Sequence, residues 1–331
     1  EKGLQLYSKG VLIMDKCAEL LPDYFSFVKG LVDSEDLSLN ISRETLQHDG
    51  QLKLIAKTLE KKIKSELEKM LKDEREAYEE FFKAFGIQLK FGIYNDYGAL
   101  KETLRDLLIF RSTNEKKYVT LKEYVSRMKE GQDSIYYACG ETDEKIDMLP
   151  QTDAVKDKGY EILYLTENVD EFALKMLAEY DGKKFVNICD NDLNLDSEDE
   201  KKALEEENTA AKDMFEAMKE SIGDKINAVR FTNKLKDHPV CLTSEGGISL
   251  EMEKVLNSMP GAEQNKVKAQ LVLEINANHP IAEKLKTLYT EDKDTLGKYA
   301  KLLYGEACLI GGKSVPDPAE HSALVCELMT K

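Results

Sequence analysis

Leu52, Ile55, Leu59, Ile63, Leu67, Met70 and Leu71 recur at spacings of three and four. That period places them on one face of an α-helix, with lysines and glutamates filling the other face. Ala77, Tyr78, Phe81, Phe82 and Phe85 extend the stripe, and Gly86 is placed to stop it. The expectation is one long amphipathic helix, about Leu52 to Phe85, whose aromatics pack in a core.

The chain ahead of this helix reads as one or two strands (Leu4, Leu6 and Tyr7, then Val11 to Ile13), a helix around Asp15 to Val32, and a loop. The loop opens with the turn-prone Asp33-Ser34-Glu35-Asp36. Leu37, Leu39 and Ile41 then alternate with Ser38, Asn40 and Ser42, the pattern of a short half-buried extended segment. Asn40 and Ser42 can bond their own backbone and favour a turn. Arg43, Glu44 and Gln47 follow, so the loop could present one guanidinium and one amide at its tip. A guanidinium suits phosphate oxygens, although Arg43 beside Glu44 also reads as an exposed ion pair.

Beyond the long helix, a second helix is expected from Asn95 to Phe110, carrying Leu100, Leu104, Leu107 and Leu108. Thr120-Leu-Lys-Glu123 is a capping box for a third, with Tyr124, Val125 and Met128 inside. The period then changes to that of strands at Ser134–Ala138, Tyr160–Leu165 and Phe185–Ile188, with a helix at Val169–Tyr180 between the last two. Strand, helix, strand makes a small α/β layer with a parallel pair. The acidic run from Asp190 to Asn208 lacks the glycine and closing glutamate of a calcium loop, and reads as a solvated linker into an acidic helix start. That helix runs up to Ser221. Strands follow near Ala228–Leu235, Val240–Thr243 and Leu271–Ile275, with a helix at Ile248–Met259 that Pro260 and Gly261 end. Two last helices carry apolar faces: Leu296, Tyr299, Ala300, Leu303, Ala307 and Ile310 on the first, and Leu324, Val325, Leu328 and Met329 on the second. The second starts at Asp317-Pro-Ala-Glu320, a cap followed by proline at the first helical position. With little chain left to cover them, the two helices suggest a two-fold four-helix interface.

A length of 331 residues suggests two or three domains, and 47 basic against 63 acidic residues leave a net charge of −16. That balance argues against a general nucleic-acid binder, whose affinity depends on neutralising phosphates. No apolar run is long enough to cross a membrane, so no membrane partner is expected. The start, Glu1-Lys2-Gly3, is neither a signal peptide nor an initiator methionine, so the chain is expected to begin inside a domain. Cys17, Cys139, Cys189, Cys241, Cys308 and Cys326 are widely spaced without a Cys-x-x-Cys pair and read as reduced thiols. Asn40-Ile41-Ser42 then carries no meaning as a glycosylation site.

No self-sufficient active site emerges. Gly305 to Ser314 resembles a phosphate loop only superficially: Ala307 stands where a glycine is required, a helix precedes it, and Gly311-Gly312 reads as a helix stop. His48, His238, His279 and His321 have no metal-ligand spacing, and no serine or cysteine sits in a nucleophile motif.

The strings Val11-Leu-Ile-Met-Asp, Leu21-Pro-Asp-Tyr, Phe27 to Leu37 and Leu39-Asn-Ile-Ser-Arg-Glu-Thr-Leu-Gln together resemble the middle domain of the heat-shock protein 90 chaperone family. So do Tyr124-Val-Ser-Arg-Met-Lys, Ile135-Tyr-Tyr, Gly159 to Thr166, Val169-Asp-Glu-Phe and Asp181-Gly-Lys-Lys. Leu273-Glu-Ile-Asn-Ala-Asn-His-Pro, Lys301-Leu-Leu-Tyr and Cys326-Glu-Leu-Met look like the family's C-terminal dimerisation domain. The likeness covers nearly the whole chain and is closest to the bacterial members.

The resemblance implies a mixed α/β (α+β) fold. It divides into a remnant of the large middle subdomain (1–50), a helical segment (51–130), a small α/β subdomain (131–192) and a C-terminal dimerisation domain (193–331). It implies that Arg43 and Gln47 sense the terminal phosphate of ATP held, with magnesium, by an absent N-terminal domain. This chain would then need no cofactor or metal and would not hydrolyse ATP alone, while its parent is a slow ATPase. It implies client contacts at Glu171 and Phe172, where bacterial members often have tryptophan at the second position. Client contacts are also implied at Met252, Val255, Leu256 and Met259, whose bland reading is core packing. A homodimer would form through Leu296, Tyr299, Leu303, Ala307, Leu324, Val325 and Leu328. Partners are partly folded proteins in the cytoplasm. The end at Leu328-Met-Thr-Lys331 lacks the acidic tail that tetratricopeptide co-chaperones recognise. The rival readings are a non-catalytic structural or dimerisation protein, with Arg43 only an ion-paired loop residue, and an unrecognised hydrolase.

Overall fold

The computed structural model describes residues 3–37, 50–190, 193 and 195–330. They form a mixed α/β fold with three mixed sheets. Two compact units emerge: Glu1–Phe110 with Tyr118–Ser126 and Phe172–Tyr180, and Arg111–Lys117 with Arg127–Glu171 and Asp181–Lys331.

In the first unit, strand β1 (Leu4–Ser8) turns back through Lys9 and Gly10 into β2 (Val11–Cys17). Both turn residues have positive φ, the two-residue hairpin conformation that matches strand twist. Strand β3 (Leu31–Ser34) pairs parallel to β1, and the Asp33 carboxylate accepts the Gly10 N–H at 3.1 Å. The helix expected over Asp15–Val32 does not form. Its first residues belong to β2, and only the short 3-10 turns Ala18–Leu20 and Asp23–Phe25 follow. Pro22 excludes Leu21 from the helical region, and Leu21 is extended at φ −130°, ψ 133°.

The long stripe becomes two helices, α1 (Gly50–Asp73) and α2 (Arg75–Asn95), broken at Glu74. Leu52 and Leu67 are buried, and Ile55, Leu59 and Ile63 pack against the core of Leu4, Leu6, Cys17, Leu20 and Leu21. At the break, Arg75 reaches both Glu123 carboxylate oxygens (2.9 and 3.0 Å) and the Tyr118 carbonyl. Tyr78 is fully buried with its hydroxyl on the Leu107 carbonyl, and Phe82 is buried beside it, whereas Phe85 is one-third exposed. Gly86 does not stop the helix. Buried Leu89, Lys90 and Ile93 continue the packed face, and the Phe82 ring lies where a side chain on Gly86 would fall.

The helix expected over Asn95–Phe110 is also absent. Tyr97 and Gly98 take positive φ, and Gly98 lies against the Met176 carbonyl with no room for a Cβ. One turn, α3 (Lys101–Leu104), a 3-10 turn (Arg105–Leu107) and strand β4 (Ile109–Ser112) take its place, with Leu104, Leu107 and Leu108 fully buried. After β5 (Tyr118–Thr120), helix α4 (Leu121–Ser126) carries the expected capping box. The Glu123 N–H donates to Thr120 Oγ1 at 3.0 Å and the Thr120 N–H to Glu123 Oε2 at 2.9 Å. Met128 lies beyond its end.

In the second unit, β6 (Ser134–Cys139) precedes helices α5 (Asp143–Asp147) and α6 (Gln151–Asp157) and strand β7 (Ile162–Leu165); helix α7 (Asp170–Leu177) comes next in sequence, and its residues from Phe172 on belong to the first unit. Strand β8 (Glu179–Tyr180) also belongs to the first unit, and β9 (Lys183–Asn187) to the second. Strand β6 is central: it pairs parallel with β7 on one side and β9 on the other, while Arg111 and Ser112 pair antiparallel to β7. The expected parallel relation of the second and third strands therefore runs through β6.

The C-terminal part starts with two helices where one was expected, α8 (Glu198–Ala210) and α9 (Lys212–Ile222). A full capping box at Ser197 and Glu200 starts the first. Strands β10 (Ala228–Thr232), β11 (Val240–Glu245) and β12 (Gln270–Asn276) form a sheet with β12 central, parallel to β10 and antiparallel to β11. Helix α10 (Leu250–Ser258) lies between β11 and β12 in sequence, and α11 (Pro280–Glu291), α12 (Lys293–Ile310) and α13 (Pro318–Met329) end the chain. The sheet, α9, α11 and α12 share one core built on Met218, Phe231, Leu242, Leu273, Leu285 and Ala300.

Candidate functional site

Arg43 and Gln47 lie outside the described residues. The residues flanking them are well anchored. Leu37 is buried and its carbonyl accepts the Ser8 hydroxyl at 2.6 Å. Leu52 joins the same apolar cluster.

Glu171 and Phe172 are both enclosed. The Glu171 side chain accepts hydrogen bonds from Tyr137 Oη (2.9 Å), Asn187 Nδ2 (3.0 Å) and Ser249 Oγ, and the residue is 3% exposed. Phe172 packs edge-on against Tyr94, ring centroids 5.6 Å apart, and is 8% exposed. The pair for which the resemblance implies client contacts thus has its carboxylate held by a converging set of donors and its ring packed against an aromatic neighbour.

Helix α10 is capped by Ser249, whose Oγ accepts the Met252 N–H at 3.1 Å. Val255 is buried, Met252 and Leu256 are half-buried, and Met259 is exposed. Val255 therefore serves as the packing anchor, which leaves Met252, Leu256 and Met259 as accessible apolar groups. Asn257 fixes the segment after the helix by bonding both the N–H (2.9 Å) and the carbonyl (2.8 Å) of Val267. An open cleft of about 440 Å³ adjoins the helix, lined by Met148, Glu251, Lys254, Leu309 and Ile310 among others. Met148 and Leu309 are 70% and 56% exposed. Sequence reasoning missed both. Leu309 carried a legible signal, since it falls off the stripe of its own helix.

The two last helices differ in cover. Leu296, Ala300, Leu303 and Ala307 are buried in the core of their own chain, and Tyr299 packs partly against it. Leu296, Leu303 and Ala307, expected at an intersubunit face, pack within their own chain against the three-stranded sheet, α9 and α11. Helix α13 has no buried residue, with Leu324, Val325 and Leu328 half-buried and Met329 80% exposed. It rests on α12 through Lys298–Glu327 (2.6 Å), Lys301–Glu320 (2.7 Å) and His321–Glu306 (3.1 Å).

At Gly311-Gly312 the chain ends α12 by bonding the Gly311 and Lys313 N–H groups back to the Ala307 and Cys308 carbonyls, with Gly312 at positive φ. His279 caps α11, its Nδ1 accepting the Ile281 N–H at 3.1 Å. Among the described residues no group of three or more His, Cys, Asp or Glu could hold a metal ion, and no helix is long and apolar enough to cross a membrane. The six cysteines are unpaired, and burial pushes the thiols of Cys139 and Cys241 far up and that of Cys189 up to about 12, which suppresses thiolate chemistry.

Comparison with known proteins gives one consistent result. The family model described as Hsp90 protein matches residues 1–331. The chain is 57% identical over 329 residues to the chaperone protein HtpG of Bacillus subtilis (strain 168), covering 99% of this chain and 52% of that protein. HtpG of Clostridium perfringens (strain 13 / Type A) gives the same identity and coverage. HtpG of Alkaliphilus oremlandii (strain OhILAs) is 55% identical over the same shares. The chain thus spans about half the length of the curated relatives it matches.

Proposed function

This chain belongs to the Hsp90 protein family, and from that membership we propose that it is the client-holding and dimer-forming part of a bacterial chaperone. The observation that supports this most is the match itself: 57% identity over 99% of this chain to a relative whose name is chaperone protein HtpG. The half-buried Met252 and Leu256 and the exposed Met259 support a client face on α10, because flexible thioether and leucine side chains adapt to varied apolar segments. The uncovered apolar side of α13 supports pairing with a second copy through Leu324, Val325 and Leu328. Clients are partly folded proteins of the cytoplasm.

Nucleotide and magnesium belong, in this proposal, to the portion of the parent that this chain does not span. Arg43, with Gln47 four positions on in the sequence, supplies positive charge to the terminal phosphate as transfer proceeds, an electrostatic contribution and not that of a base. The chain alone is then no ATPase. In the full-length protein, Arg43→Ala should abolish ATP turnover while nucleotide still binds; turnover at the unsubstituted rate would remove Arg43 from this role. Separately, the chain should slow aggregation of an unfolded protein, and Met252→Ser combined with Leu256→Ser should weaken that protection. Unchanged protection would leave α10 as a packing element and favour a purely structural protein.

A further inference from the structure

We propose that Glu171 is a positioning residue, whose buried carboxylate locks the N-terminus of helix α10 through Ser249 and thereby holds the client face in place. The inference rests on the reading of α10 as the client helix.

The lock is assembled from three directions. Tyr137 on β6 and Asn187 on β9 are register partners on adjacent parallel strands, and both donate to the same carboxylate oxygen, Oε1. The other oxygen, Oε2, accepts the Ser249 hydroxyl. A serine hydroxyl has one proton and two lone pairs. With its proton committed to Glu171, Ser249 Oγ turns a lone pair to the Met252 N–H at 3.1 Å, an otherwise unsatisfied amide of the first helical turn. One serine therefore caps the helix and ties it to the sheet. Asn187 is fixed in turn, because its Oδ1 accepts the Cys189 N–H at 2.9 Å while its Nδ2 serves Glu171.

Further bonds between the same layers flank the lock. The Ser244 N–H donates to the Cys189 carbonyl at 3.0 Å, and Gln151 Nε2 to the Leu242 carbonyl at 2.9 Å. A carboxylate that is 3% exposed, with both oxygens taken, is placed to organise the scaffold. Losing it leaves three buried donors without an acceptor.

Amide hydrogen exchange across α10 tests the lock in the unsubstituted chain, Glu171→Ala, Ser249→Gly and the double variant. Glycine keeps a tolerable cap but removes the hydroxyl. Each single substitution should speed exchange at Met252 and its neighbours by about tenfold. The double should exceed neither, because both remove one link. Ser249→Thr, which retains the hydroxyl, should restore protection. Client affinity should fall by a similar factor in both single variants and recover in Ser249→Thr. Glu171→Gln, with one acceptor oxygen left, gives an intermediate variant should Glu171→Ala not fold. Additive exchange effects, or protection unchanged by Ser249→Gly, overturn the proposal. If exchange shows the coupling but Met252→Ser with Leu256→Ser leaves client binding untouched, the client reading of α10 fails while the lock stands.

Discussion

Asp147 shows how single side chains set the chain's response to acid. Its carboxylate accepts Tyr164 Oη at 2.7 Å and Lys156 Nζ at 3.0 Å, and pairs with Lys116 Nζ at 2.8 Å. Partial burial pushes its pKa up, but the bonds from Lys116, Tyr164 and Lys156 outweigh that and bring it below the usual value. A lowered pKa in the folded state contributes stability above the unfolded carboxylate's pKa, and that contribution is lost as pH falls through the folded value. Both lysines are more than one-third exposed, so solvent screening limits the effect to about 1 kcal/mol. Asp147→Asn should therefore lower the urea midpoint at pH 6. The gap to the unsubstituted chain should close as pH drops below about 4, near the unfolded carboxylate range. A gap that persists once the folded-state carboxylate is itself protonated would assign the loss to packing and not to charge.

At the scale of elements, the contact of α12 with α13 depends on the absence of a side chain. A Cβ on Gly305 would lie 2.3 Å from His321 Nδ1, so the glycine admits the histidine ring between the helices. Alanine for glycine inside a helix would by itself gain about 1 kcal/mol. Here overpacking of about 1–3 kcal/mol opposes it. Gly305→Ala should lower the thermal midpoint in the unsubstituted chain and raise it in a His321→Ala background. A rise in both backgrounds would mean that α13 accommodates the methyl group by moving. Element boundaries follow the same logic. Thr120 and Glu123 state a helix start locally, and it forms as written. Gly86 states a stop locally and is overruled, because the buried face continues through Leu89 and Ile93.

For the whole molecule, the proposed assembly rests on α13. Leu324→Asp with Leu328→Asp should convert a dimer to a monomer by light scattering while leaving the far-ultraviolet circular dichroism unchanged, since neither residue is buried in its own chain. A monomer before substitution would remove α13 as an interface. With a net charge of −16 per chain, pairing should also strengthen as salt rises from low to physiological levels.

The amino-acid order alone was enough to state the mixed fold, the amphipathic face of α1, the starts of α4 and α13, and the family. Each of these depends on neighbours close in the chain or on long matched strings. Tertiary structure decided what depends on distant partners. Leu303 and Ala307 read as uncovered, but strands and helices remote in sequence enclose them. Glu171 reads as a surface acid, but Tyr137, Asn187 and Ser249 meet on it from three separate segments. Periodicity shows which face of an element is apolar; only the packed chain determines what, if anything, lies against it.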